Sequence, residues 1–285
     1  MKKILVPTDF SDNAFNALHY AVELFKNEAC IFYLLNTYAL PIHQTEFAMD
    51  APAQFGLDDI TINQDRSIEN LKILQQRATD EFNNPKHEFQ TRSALNTLVS
   101  EVSTTVKDES IDLIFMGTQG ATGAQEILFG THTVDVIKKA KCPIIAVPSK
   151  FKYDTPKEIL FPTDYEIDFR NSHLLELIHL AKKFEGKINF LHILSNYELD
   201  KEQKKNKSAL STMFEDIMHE YHEVPDTDII DAVTDFQSKH GTDFLVMIQN
   251  KHTFFERFFA EPVIQKIGFH VNVPFMVIPH VGSEQ

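Results

Sequence analysis

Short apolar segments alternate with longer amphipathic segments along the whole chain. In the first half, the runs at 4–6 and 113–115 are apolar at successive positions, which is typical of strands buried on both faces of a parallel sheet. The segments between such runs have the spacing of helices that cover a sheet. The pattern predicts strands at 3–7, 30–36, 86–91, 112–116 and 143–147, and helices at 12–26, 62–82, 94–107 and 132–140.

The second half of the chain repeats the first. Residues 4–10 (ILVPTDF) match residues 159–165 (ILFPTDY) at an offset of 155 residues. Residues 143–148 match residues 274–279 at an offset of 131, so the second copy is shorter by 24 residues. Because the similarity recurs in the same order, it indicates two copies of one domain.

The second copy is predicted to have its strands at 158–161, 187–194, 219–224, 243–247 and 274–278. The two domains are then residues 1–150 and 155–280, joined by a short linker at 149–155. Residues 39–67, rich in Pro, Gln and Asp, are predicted to be a long loop of the first copy, since that copy has the extra length. The alternation of elements predicts an α/β fold of two tandem, doubly wound, Rossmann-like parallel-sheet domains.

Composition and charge limit the classes of protein and the kinds of partner that are compatible with the sequence. Hydrophobic residues make up 43% and charged residues 24% of the 285 residues, which excludes disordered and collagen-like proteins. The formal net charge of −14 would repel phosphate backbones and anionic lipids, so we expect neither a nucleic-acid nor a membrane partner. The apolar run after Met1 stops at Asp9, too early for a signal peptide. Cys30 and Cys142 read as buried thiols, and we expect a cytoplasmic location.

A glycine-rich loop follows the predicted fourth strand and leads into a helix. Gly117, Gly120, Gly130 and Thr131 form the pattern G-x-x-G-x9-G-[ST]. Glycines let backbone N–H groups turn toward a phosphate, and a helix N-terminus carries unsatisfied donors and partial positive charge. The hydroxyls of Thr131 and Thr133 could donate to the same phosphates. A role for the glycines in turns alone is the alternative.

Pro7, Thr8 and Asp9 follow the carboxyl end of the predicted first strand. In open α/β sheets, ligands bind in the crevice at that edge, where the strand order reverses. Asp9 could accept a hydrogen bond from a ribose hydroxyl, or hold a Mg²⁺ that bridges phosphates. The alternative is that Asp9 is the N-cap of the first helix, or a neighbour of the cap Ser11.

These motifs, with the closing strand at 143–148 (PIIAVP), resemble the universal stress protein family in its tandem two-domain form. The resemblance covers nearly the whole chain and implies an adenine nucleotide alpha hydrolase-like fold. It also implies a pseudo-two-fold pair of domains, joined through the strands that end at Pro148 and Pro279. Two such chains could associate further as a homodimer.

The glycine spacing matches that of ATP-binding members of the family, so the resemblance implies ATP with Mg²⁺ in the first domain. It places adenine near Pro7, Asp9 and Thr37, and ribose near Asp9 and Gly117. Thr37 departs from the aliphatic residue expected against adenine. The full set of residues implied for the nucleotide is Pro7, Thr8, Asp9, Thr37, Met116, Gly117, Gly120, Gly130, Thr131, His132 and Thr133, with Asp9 as the candidate metal ligand.

The second copy lacks this loop. At the offset of 131, Ile248 replaces Gly117, Lys251 replaces Gly120, and Glu261 and Pro262 replace Gly130 and Thr131. A carboxylate would repel phosphate, and proline has no N–H to donate. We therefore predict one ATP per chain. The Phe-rich segment 254–259 is either a partner surface, a plug for the vacant site, or packing against the first domain.

Three functions are compatible with the sequence. The first is a regulatory module of a stress response that binds ATP and unidentified protein partners, with at most slow ATP hydrolysis or self-phosphorylation, since no general base is evident in the loop. The second is a scaffold without nucleotide, and the third is an ATP-using transferase or ligase. The last would need a second substrate pocket, and residues 39–67 offer no Lys or Arg before Arg66.

Two further motifs are assigned to structure. His219 and His222 could share a metal on a helix, but the predicted strand points them to opposite faces. The lysine-rich run at 201–207 reads as a solvated loop or helix face.

Overall fold

The computed structural model describes residues 1–39, 57–118, 130–171, 174–194, 198–225, 227–249 and 272–280. The first half contains β1 (Lys2–Pro7), α1 (Asp12–Leu24), β2 (Cys30–Tyr38), α2 (Leu57–Phe82), β3 (His87–Leu95), α3 (Leu98–Glu109), β4 (Leu113–Gly117), α4 (Thr131–Lys139) and β5 (Ile144–Val147). The second half contains β6 (Glu158–Pro162), a 3₁₀ turn (Phe169–Asn171), α5 (Leu175–Phe184), β7 (Lys187–Ile193), α6 (Lys201–Met213), β8 (His219–Val224), α7 (Ile229–His240), β9 (Phe244–Gln249) and β10 (Phe275–Pro279).

The strands form one ten-stranded sheet with the order β3-β2-β1-β4-β5-β10-β9-β6-β7-β8. Each half is parallel and has its first strand in third place from the outer edge. The halves meet where β5 and β10 pair antiparallel, with Ile145 opposite Met276. The predicted fold of two tandem doubly wound domains, joined as a pseudo-two-fold pair through their last strands, is confirmed.

The core lies on both faces of this sheet. One face packs against α1, α2, α5 and α6, and the other against α3, α4 and α7. Cys30 and Cys142 are both buried, as predicted, and they lie on opposite faces of the sheet. Burial raises the pKa of the Cys30 thiol to about 11 and that of Cys142 to about 12, so both thiols stay protonated. None of the described helices is long and apolar enough to cross a membrane.

Three predicted boundaries in the first half are wrong. The strand β2 continues to Tyr38, so Thr37 lies within it. The strand β3 continues to Leu95, because it stays in register with β2 as far as Tyr38. The helix α3 therefore begins at Leu98, four residues later than predicted, after its N-cap Thr97.

The predicted loop at 39–67 is also partly wrong. Residues 57–67 belong to α2, which the pattern started at 62, while residues 40–56 lie outside the described part of the chain. The face of α2 that packs on the sheet includes Ser67, which is buried together with Leu71, Leu74 and Ala78. Because Ser67 is polar, hydrophobic periodicity does not reveal that the helix face extends this far.

An arginine on the edge strand ties α3 to the sheet. Arg92 Nε donates to Glu101 Oε1 at 2.7 Å, and the guanidinium lies 3.7 Å from Asp108 and 3.8 Å from Glu109. Glu101 is 6% exposed. Removing the arginine would therefore leave a buried carboxylate without its counter-charge, which is more costly than losing an exposed ion pair.

We expect Arg92→Met to lower the free energy of unfolding by about 2 kcal/mol, since Arg92 is itself partly exposed and the buried-pair cost must be discounted. Urea denaturation monitored by circular dichroism measures this. Lys239→Met removes the exposed pair with Asp235 at 2.6 Å and should cost less than about 0.5 kcal/mol. Equal effects of the two substitutions would contradict a structural role for the Arg92 cluster.

Candidate functional site

The carboxyl ends of β1 and β4 lie side by side, and from them the chain leaves toward opposite faces of the sheet. β1 pairs with β2 on one side and with β4 on the other. After β1 the chain enters α1 on one face of the sheet, and after β4 it leads to α4 on the opposite face. This is the geometry in which doubly wound sheets form a ligand crevice.

A tight turn follows β1. The N–H of Phe10 donates to Thr8 Oγ1 at 2.9 Å, and the N–H of Ser11 donates to Asp9 Oδ1 at 3.0 Å. Phe10 has a φ of 64°, the left-handed conformation that such a turn requires. Ser11 is the N-cap of α1, so Asp9 supports the turn and is not the cap. The side chain of Asp9 is exposed at the edge of the crevice.

The helix α4 begins at the other side of the crevice without a side-chain cap. Its N-cap is Gly130, which has no side chain to accept from the first turn; α5 likewise has no side-chain cap, whereas α1, α3, α6 and α7 each have one. The N–H of Gly130 donates to the carbonyl of Thr118 at 2.7 Å, which holds the helix start against the end of β4. The N-terminal donors of α4 are therefore positioned beside the crevice.

Two groups expected to donate to phosphate have other partners. The hydroxyl of Thr133 donates to the carbonyl of Gly117 at 3.0 Å, and the N–H of Gly130 is bound to Thr118. These contacts close the base of the loop. Thr131 and His132 are exposed in the first turn of α4. Gly120 lies outside the described residues.

Gly117 is required by close packing. A Cβ at this position would lie 2.6 Å from Nδ2 and 2.7 Å from Cγ of Asn13 in α1. Asn13 is buried, so its amide would have to shift within the packed interior to make room. The sequence reading identified the glycine but missed Asn13, whose only signal is that it stands one turn after Asp9.

The strand β2 supplies the third side of the site. Thr37 lies near its carboxyl end and is half-buried, while Met116 is buried within β4, where it pairs with Ala146. Asn36, which precedes Thr37 in β2, is a site residue that the sequence analysis did not identify. Its Nδ2 donates to the carbonyl of Thr8 at 2.8 Å. A polar residue directly after an apolar strand segment is the signal that could have found it.

Comparison with known proteins identifies the protein family. The model of the universal stress protein family matches residues 1–148. The chain belongs to the universal stress protein family. Two universal stress proteins of Methanocaldococcus jannaschii are each 29% identical to it, over 147 and 160 residues, which is 51% and 52% of this chain and 81% and 96% of those proteins.

The shared fold extends over both halves of the chain. The crystal structure of a universal stress protein from Archaeoglobus fulgidus superposes with a TM-score of 0.67, covering 99% of this chain and 97% of that chain at 21% identity. A protein of unknown function from Pseudomonas aeruginosa superposes with a TM-score of 0.59 and covers 98% of this chain and 93% of its own at 13% identity. These two comparisons concern the fold alone.

The second half of this universal stress protein repeats the turn after the first strand. The N–H of Tyr165 donates to Thr163 Oγ1 at 3.2 Å, and the N–H of Glu166 donates to Asp164 Oδ1 at 3.2 Å. Tyr165 has a φ of 59°, as Phe10 has 64°. The turn with its aspartate is therefore a property of the repeated fold, so Asp9 alone does not mark a ligand site.

What differs in the second half is that α6 covers this turn. Gln203 Nε2 donates to the carbonyl of Asp164 at 3.1 Å, and Asn206 Nδ2 donates to the carbonyl of Tyr165 at 2.9 Å. The ring of Tyr165 is completely buried. Ile248 stands in β9 at the position of Gly117, the last residue of β4, and β9 continues to Gln249. Lys251, Glu261, Pro262 and the segment 254–259 lie outside the described residues.

The histidine pair in β8 is structural, as the strand reading predicted. The ring of His219 contacts Phe190 on one face of the sheet, and the ring of His222 contacts Phe236 on the other. Within the described ranges, no group of three or more His, Cys, Asp or Glu side chains could hold a metal ion. The lysine-rich run at 201–207 forms the first half of α6.

Proposed function

We propose that this universal stress protein binds one ATP, with Mg²⁺, in the crevice of its first domain, residues 1–150. The observation that carries the proposal is the start of α4, which has no side-chain cap and is held against the end of β4 by the Gly130 to Thr118 hydrogen bond. A phosphate can satisfy such free helix N-terminal donors and is favoured by the helix dipole.

The residues of the crevice fit the parts of a nucleotide. The N–H groups of Thr131 and His132, with the exposed hydroxyl of Thr131, would donate to phosphate oxygens, since the N–H of Thr133 is bound to the carbonyl of Gly130. The exposed carboxylate of Asp9 would accept from a ribose hydroxyl or hold Mg²⁺, and Thr37 would lie against the base. The described site residues include no Lys or Arg. A divalent cation would therefore supply the charge that neutralises the phosphates.

The second domain, residues 155–280, would remain without nucleotide. Supporting this, α6 occupies the edge of the turn after β6 through Gln203 and Asn206, and Tyr165 fills the space beneath it. The sequence at the glycine positions adds a carboxylate at Glu261 and removes an N–H at Pro262. Both changes disfavour a phosphate.

The biological role that fits is regulatory. ATP occupancy of the first domain would change the affinity of the tandem for protein partners during a stress response in the cytoplasm. No general base is evident in the glycine-rich loop sequence. Any hydrolysis would therefore be slow compared with that of dedicated ATPases.

The test is to identify what the protein carries and what it binds. Freshly purified protein is denatured, and any released nucleotide is identified by liquid chromatography and mass spectrometry. Competition of ATP, ADP, AMP and GTP against a fluorescent ATP analogue, with and without Mg²⁺, then ranks the ligands. We expect Mg-ATP to rank first. The absence of released nucleotide and of displacement would favour a scaffold that works through protein contacts alone.

A further inference from the structure

A chain of polar side chains links the turn that holds Asp9 to the helix α2 and the edge strand β3. Asn36 Nδ2 donates to the carbonyl of Thr8 at 2.8 Å. The hydroxyl of Ser67 in α2 donates to Asn36 Oδ1 at 2.7 Å, and the hydroxyl of Ser93 in β3 donates to Ser67 Oγ at 2.7 Å. Three hydrogen bonds therefore connect four elements at the carboxyl edge of the first half.

We propose that Asn36 is a positioning residue of the nucleotide crevice, and that Ser67 transmits the packing of α2 to it. The inference rests on the proposed function, because it concerns how the same crevice is held in shape. Neither residue belongs to the set assigned to the nucleotide itself. Their role is to fix the turn at Thr8 and Asp9 before ATP arrives.

The amide of Asn36 has only one orientation that satisfies both of its ends. The carbonyl of Thr8 can only accept, so the amide nitrogen faces it, and the amide oxygen then accepts from Ser67. Ser67 is 3% exposed, and a buried hydroxyl that lost its acceptor would have no water to replace it. The hydrogen bond from Ser67 thus restrains the amide of Asn36, and the amide in turn restrains the turn at Thr8.

In the second half, a different residue occupies the position of Asn36. His192 follows Leu191, the register partner of Pro162, as Asn36 follows Leu35, the partner of Pro7. His192 Nδ1 lies 2.9 Å from the carbonyl of Thr163.

There the following helix binds the turn directly through Asn206, whereas α2 acts on the turn through Asn36. In the described part of the first half, the turn is therefore supported from β2, and the carboxylate of Asp9 is exposed. Because the network spans the turn and α2, binding at the crevice should be linked to the packing of that helix, and the linkage is reciprocal.

The experiment compares Asn36→Ala and Ser67→Ala with two matched controls by titrating Mg-ATP into the full chain at 15 °C. We expect the Kd to rise about tenfold for Asn36→Ala and about threefold for Ser67→Ala, because a buried hydrogen bond is lost or loosened. Asn206→Ala removes the amide of α6 that donates to the turn of the second half, and Ser103→Ala removes an exposed hydroxyl of α3. Both controls should bind ATP within twofold of the wild type.

Two further readouts separate positioning from general destabilisation. Asn36→His copies the second half and should restore binding to within about threefold at pH 8, where a neutral imidazole can donate to Thr8. Hydrogen exchange should show that ATP protects residues 60–70 of α2 in the wild type but much less in Ser67→Ala.

The outcomes are distinct. If the wild type binds ATP and Asn36→Ala binds within twofold of it, or if Asn206→Ala loses as much affinity, the positioning role is overturned while the proposed function stands. If the wild type binds no nucleotide, both fail. If Asn36→Ala does not fold, the threefold effect and the loss of α2 protection in Ser67→Ala decide the question.

Discussion

Gly130→Glu should reduce ATP affinity by at least about 100-fold while leaving the fold intact. The new carboxylate would stand at the N-cap of α4, where the phosphates are proposed to bind, and like charges brought together cost several kcal/mol. The backbone of Gly130, with φ of −57° and ψ of 147°, suits any residue. An acidic side chain at a helix N-terminus is itself favourable, so Tm should change by less than about 2 °C.

The comparison that isolates charge is Gly130→Ala, which should lose less than about fivefold in affinity, since it adds only a methyl group. Gly120→Glu should behave like Gly130→Glu, whereas Lys251→Ala, at the matching position of the second copy, should bind normally. Calorimetry gives the affinities and differential scanning fluorimetry the Tm values. If the Gly130→Glu protein binds ATP with nearly wild-type affinity, the phosphates do not bind at the start of α4.

Gly117→Ala should lower the free energy of unfolding by about 2 kcal/mol, because the added Cβ would meet Asn13 at 2.6 Å, and overpacking of this kind typically costs 1–3 kcal/mol. Relief of this clash should move the start of α1 away from the end of β4. Because these two elements form the crevice, the substitution should also weaken ATP binding about tenfold.

The Asn13→Ala/Gly117→Ala double variant identifies the cause. If the clash is responsible, the double variant should be more stable than the sum of the single changes implies, by about 1 kcal/mol. Gly241→Ala serves as the control. Its φ of 65° makes alanine strained there, yet its Cβ would meet nothing within 4 Å, so Asn13→Ala should not rescue it. Strict additivity at position 117 would show that the glycine is needed for another reason.

The sheet was predictable from the sequence because its strands are buried on both faces. Runs such as 4–6 and 113–115 need no tertiary information to be recognised, and the repeat fixed the order of the second half. The errors fall where polar residues are buried. Ser67 continues the buried face of α2. The late start of α3 has another cause, because its N-cap Thr97 is exposed and sets the boundary by a capping hydrogen bond that hydrophobic periodicity does not show.

The candidate site was predictable only in part, for a similar reason. The glycines and Asp9 form a recognisable spacing, but their partners do not. Asn13 matters because Gly117 lies against it, and Asn36 because it reaches the carbonyl of Thr8. Such contacts join residues far apart in the chain. The same applies to Thr133, whose hydroxyl seemed free for phosphate but donates to Gly117.

The central claim is that one crevice of this tandem protein holds ATP and the other does not. The most direct test is a calorimetric titration of Mg-ATP into the nucleotide-free full chain, repeated with Gly130→Glu. The account predicts a stoichiometry of one ATP per chain for the wild type and no measurable binding for the variant. Two ATP molecules per chain, or one that survives Gly130→Glu, would contradict it.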